Sequence, residues 1–142
     1  MCFSSVFNIF RGGNPSGNIS SPRDCPLNIE PSLEPGIYLS TVQNTNSMEP
    51  LIDVGHTMIL SALPEHLAAV KVGSVVVWQL TGNPNSTIHS IIDKTDDNLA
   101  FRTQGLNVNR PDQWISRDNI KAVALGVLWT PQRDGFVPVE GD

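Results

Sequence analysis

Hydrophobic and polar residues alternate along IYLSTVQ (37–43), the period-two pattern of a half-buried strand. TMILSAL (57–63) and SVVVWQL (74–80) are apolar runs rich in β-branched residues, and STIHSIID (86–93) and NLAFRTQ (98–104) continue the series. NIKAVALGVLW (119–129) is a longer strand with Gly126 as its bending point. PEHLAAV (64–70) reads as one short helical turn. Short strands separated by turn residues at intervals of roughly 8–12 predict a mainly β fold, either a small antiparallel barrel or a pair of sheets.

The flanks differ in texture. Residues 11–36 carry GGNPSGNISSPRD and then Pro26, Pro31 and Pro35, a composition that breaks helices and withholds backbone donors. Before this linker, Phe3, Val6, Phe7 and Phe10 fall on one face of a helix, a stripe suited to docking on a partner protein or on the chain's own domain. A membrane surface fits it less well, because the stripe contains no lysine. The expected organisation is therefore an arm and linker with a short amphipathic helix over 1–35, a β domain over 36–130 and an irregular tail over 131–142.

Composition narrows the function classes. The chain has 142 residues, enough for one domain with a core of its own and too few for two. Charged residues are 16% of the total and the net charge is -5, with 9 Lys and Arg and no three adjacent, so nucleic-acid binding is not expected. No apolar run approaches the ~20 residues of a membrane-spanning helix, and MCFSSVFNIF lacks the basic start of a secretory signal. Cys2 and Cys25 lie outside any metal-binding spacing, leaving free thiols and a local disulfide both open. Neither metal nor cofactor is expected, and no compartment is indicated.

Candidate chemistry is sparse. Ser47, in NSMEP (46–50), lies between the first two predicted strands, and a serine needs a base within hydrogen-bond reach to become a nucleophile. Of three histidines, His56 follows a turn and His66 lies in the predicted helical segment. His89 sits mid-strand, where its backbone holds it for use as a base. Asp112 follows the turn-rich GLNVNRP. Each alone also reads as a capping serine, a satisfied core histidine and a turn aspartate.

Taken in order, NSMEP, VGHTMIL, KVGSVVVWQ, STIHSII, FRTQGLNVNRPD and IKAVALGVLW resemble the boxes of signal peptidase I, over about residues 40–129. The resemblance is closest to the Ser-His branch of archaea and the endoplasmic reticulum. It implies the coiled antiparallel β fold of the signal peptidase–LexA type and a serine endopeptidase acting on an extended peptide. It assigns Ser47 as nucleophile, His89 as general base and Asp112 as the carboxylate that orients it. Thr45 and the Ser47 N–H would form the oxyanion hole. Thr103, Gln104, Gly105 and Asn107 match the T-K-G and an N of the following box. Against the family pattern, His56, Ser74 and Leu106 stand where acids are usual, and Ser90 where an Arg is usual. The missing membrane anchor points to a stand-alone soluble domain, similar to those carried by bacteriophages. The alternative is therefore a structural or assembly protein, such as a particle subunit, that reuses the fold and docks through Phe3, Val6, Phe7 and Phe10. Self-cleavage within the 11–36 linker is a third possibility.

Overall fold

The computed structural model describes residues 32–128; the Phe3/Val6/Phe7/Phe10 stripe, Cys2, Cys25 and the tail lie outside the described residues. Seven strands follow one another as β1 (Ile37–Thr41), β2 (Thr57–Ser61), β3 (Val75–Trp78), β4 (Thr87–Lys94), β5 (Ala100–Gln104), β6 (Trp114–Ser116) and β7 (Ile120–Leu128). One short helix, α1 (Pro64–Ala68), joins β2 to β3 and starts on a proline, which fits a first helical turn.

All seven strands belong to one antiparallel sheet in the order β1-β2-β7-β3-β4-β5-β6. β7 makes the sheet continuous. Its C-terminal half pairs with β2 and its N-terminal half with β3, and Val123 meets both Ser61 and Val76. Register shifts at Ile59/Leu60, Val77/Trp78 and Ile91/Asp93 mark bulges, which bend strands and strengthen their twist.

The alternation read from the sequence sends successive β3 residues to opposite faces. Val76 and Trp78 join a cluster with Val70, Ile91, Phe101, Ile115, Ile120 and Val123. Val75 and Val77 pack against a second cluster of Met48, Ile52, Met58, Leu60 and Ala122. Arg117 holds the first cluster's rim, with its guanidinium 5.0 Å from the Phe101 ring centroid and Nη1 donating to Leu67 O at 3.1 Å.

The mainly β, antiparallel expectation holds, but the closed barrel and the pair of sheets do not. Among the described residues β1 and β6 remain as two edges of one sheet. The connection over residues 42–56 adds Met48 and Ile52, each 2% exposed, to the second cluster as loop side chains. β6 was not anticipated, since three residues are too few to display a period.

Phe101 is 0% exposed in the first cluster. Phe101→Ala is expected to destabilise the fold by about 3–5 kcal/mol. Leu125→Ala, at an exposed position of β7, should change stability by less than about 0.5 kcal/mol. Urea unfolding of both variants checks this, and equal midpoints would contradict the assignment of the core.

Candidate active site

Three segments distant in sequence meet at one end of the sheet. The first is the 42–56 connection, in which Glu49 N–H donates to Asn46 O (3.3 Å) and Ile52 N–H to Met48 O (3.0 Å). Asn46 adopts φ +58°, a left-handed conformation that asparagine tolerates. The burial of Met48 anchors this turn, and the adjacent Ser47 lines a groove.

The second segment is β4. His89 pairs opposite Val76 of β3 and lies on the same face as Ile91, whose partner across the next ladder is Thr103 of β5. The third is the loop from β5 to β6. Continuing the register one step past Ser90–Gln104 brings Gly105 opposite His89. A Cβ at Gly105 would sit 2.6 Å from Ser47 O and 2.9 Å from His89 Nε2, so only glycine permits the approach.

The result is a continuous line of hydrogen bonds. Ser47 Oγ lies 3.0 Å from His89 Nε2, and His89 Nδ1 lies 2.6 Å from Asp112 Oδ2. Thr103 Oγ1 donates to the same Asp112 oxygen at 2.7 Å. Because the carboxylate accepts from the imidazole, Nδ1 carries the proton and Nε2 is left to accept from the Ser47 hydroxyl. Thr45 Oγ1 lies 3.2 Å from Ser47 Oγ, at the open end of the line.

Asp112 is fixed through its main chain as well. Its N–H donates to Thr103 O at 2.8 Å, and its carbonyl accepts from Arg102 Nε at 3.1 Å. Asn107 ties the third segment to the first, with N–H donating to Ser47 O (2.9 Å) and Nδ2 to Asn46 O (3.2 Å). His89 is 7% exposed and Asn107 fully buried, so these bonds lie largely out of water's competition.

The groove beside Ser47 and His89 measures about 770 Å³, with Met58, Leu60, Val77 and Ile88 among its apolar lining and Tyr38 and Ser40 along β1. Both of its long sides offer strand edges. Among the described residues β1 pairs with β2 alone, and Thr87 and Ile88 lie ahead of the point where β4 begins to pair with β5.

The four site residues named from the sequence, Thr45, Ser47, His89 and Asp112, thus converge. The other histidines stand apart from them. His66 Nδ1 is 2.7 Å from Ser61 Oγ, but Ser61 is fully buried and also accepts the Leu63 N–H at 3.2 Å, a role at the entry to α1. His56 Nδ1 accepts from Asp53 N–H at 3.0 Å inside the connection that carries Ser47. Ser74 accepts from Lys71 N–H in the turn before β3. The tether from Arg102 was not read from the sequence, because an arginine holding a carbonyl ten residues on leaves no local pattern. No group of three His, Cys, Asp or Glu among the described residues is placed to hold a metal ion, and none of their helices is long and apolar enough to cross a membrane. Comparison with protein-family models, with curated proteins and with solved structures found no match.

Two predictions follow from these contacts. In Gly105→Ala the methyl group must push Ser47 or His89 away. The variant should stay folded by circular dichroism and lose the downfield Nδ1–H resonance or the Ser47–His89 contact in its NMR spectrum; an unchanged His89 ring environment would refute the close approach. The second concerns His56, whose imidazole burial pushes below the ordinary value of 6.5, partly offset by nearby Asp53. The unfolded chain then binds more protons than the folded one below pH 6.5. The stability that neutral His56 contributes is complete above that pH and is lost as the pH falls toward the lowered folded value. Urea midpoints measured downward from about pH 7.5 should fall more steeply for the wild type than for His56→Gln. Parallel slopes would refute it.

Proposed function

We propose that this protein is a serine endopeptidase of the signal-peptidase type, cleaving an extended peptide laid in the groove. The hydrogen-bonded line Ser47–His89–Asp112 carries the reading: a hydroxyl, an imidazole with a free acceptor nitrogen, and a carboxylate on the far nitrogen. The resemblance of the ordered boxes over about residues 40–129 supports it, and extends it to the coiled sheet of the signal peptidase–LexA type.

A peptide adding to the edge of β1 that is unpaired among the described residues, or to the edge at Thr87 and Ile88, uses main-chain hydrogen bonds for affinity and the apolar floor for its side chains. The scissile carbonyl then lies against Ser47. Ser47 Oγ attacks the carbonyl carbon as His89 Nε2 takes its proton, and Asp112 stabilises the imidazolium that forms. The Ser47 N–H and the Thr45 hydroxyl receive the oxyanion, each donor worth about 3–4 kcal/mol. His89 next passes its proton to the leaving amine, which departs and leaves an ester on Ser47. Water, deprotonated by His89, hydrolyses that ester and restores the hydroxyl.

Incubation with a mixed peptide library, followed by mass spectrometry of new termini, tests the reading. Ser47→Ala and His89→Ala should each abolish cleavage, with the double variant little worse than either. Asp112→Asn should lower kcat by about 10⁴-fold, because the imidazole is then held in the wrong tautomer. A wild-type product spectrum identical to that of Ser47→Ala would sink the peptidase reading and leave the assembly role.

A further inference from the structure

We propose that Asn107 is the positioning residue that aims the Ser47 N–H into the groove, where it serves as an oxyanion donor. This deepens the peptidase reading and rests on it. Asn107 belongs to the third segment, two residues after Gly105, and does not line the groove. It is fully buried and grips two successive carbonyls of the nucleophile turn: its side-chain Nδ2 donates to Asn46 O at 3.2 Å and its backbone N–H to Ser47 O at 2.9 Å.

The consequence is geometric. Asn46 C=O and Ser47 N–H belong to one trans peptide plane, in which the two groups point in opposite directions. Drawing the Asn46 carbonyl toward Asn107 turns the Ser47 N–H away from it. Among the described residues no acceptor takes that N–H, so it stays available as a donor. The Asn46 carbonyl also accepts from Glu49 N–H at 3.3 Å, and two donors on one oxygen resist rotation of the plane. The side chain gains little else at this position. Asn107 Oδ1 is buried without a protein partner, a cost that an apolar residue of similar size would not carry, so the donation from Nδ2 is what asparagine adds here.

Labelling of Ser47 by an alkyl fluorophosphonate tests the proposal, because phosphonylation also develops charge on an oxygen that the hole must receive. Asn107→Ala, and Asn107→Asp, which keeps the shape and loses the donor, should lower the maximal labelling rate by about 10²-fold. The half-saturating probe concentration should change by less than about threefold, so that the loss falls on the maximal rate. A purely structural role would move the melting temperature and leave those ratios uncoupled. Labelling of both variants at the wild-type rate overturns the proposal while leaving the peptidase reading intact. If the wild type itself is not labelled and cleaves no peptide, the peptidase reading fails instead. The aim of the N–H is then judged by NMR: the Ser47 amide should exchange freely with water in the wild type and shift in Asn107→Ala, and an unchanged amide overturns it.

Discussion

The His89 ring stands at the point where three stretches of chain come closer together than side chains ordinarily allow. Ser47 O, the Gly105 Cα and the imidazole share a space with no room for one more carbon atom. That constraint fixes the order of everything around it. Gly105 must lie opposite His89, which sets the register of β4 against β5. That register puts Thr103 on the His89 side of the sheet, and Thr103 then has one natural acceptor, the Asp112 carboxylate. The same loop delivers Asn107 to the turn that carries Ser47. Shifting β5 against β4 by one residue would turn Thr103 to the other face.

The sheet supports this meeting point by staying open. A nine-residue β7 pairs with β2 along its C-terminal half and with β3 along its N-terminal half, which keeps the strands in one sheet. The buried methionine and isoleucine of the 42–56 connection complete the second cluster with loop side chains. The gap between β1 and the start of β4 is thus a packed-floor groove bounded by strand edges. Unpaired edges invite pairing with another chain. Here the edges flank a polar cluster whose hydrogen bonds are already formed, so the Ser47 hydroxyl and the His89 imidazole are held in place within the folded chain.

The strands were legible in the sequence because their signal is local. Alternation and β-branched runs place β1 to β5 and β7 within a residue or two of where they lie, and the helical turn at 64–70 is α1. The order of the strands was not legible, since it depends on which distant segments bury one another. β7, the last of the described strands, pairs with both β2 and β3, and nothing in NIKAVALGVLW announces two partners. The candidate site divides the same way. Ser47, His89 and Asp112 could be named together only through the ordered boxes, because each alone has a bland structural reading. Thr103 and Asn107 could be matched to a box, but their tasks arise from cross-strand and loop-to-loop contacts. Arg102 left no trace, because its target is a backbone carbonyl and any residue at 112 supplies one.

Departures from the usual rules of folding collect around Ser47. Four buried side-chain polar atoms lack a partner among the described residues, on Asn46, Asp53, Trp78 and Asn107. Asn46 directly precedes Ser47, Asp53 lies in the same connection, and Asn107 clamps it from outside. Asn46 also carries one of two positive φ angles among the described non-glycine residues. Each unpaired buried atom costs about 1–3 kcal/mol, so a stretch chosen for stability alone would not gather three of them. The packing of Met48 and Ile52 offsets that cost with apolar burial at the same place. A turn that is locally unfavourable yet held firmly from below can keep one hydroxyl and one N–H directed at a groove. A relaxed turn would satisfy those groups internally and present nothing.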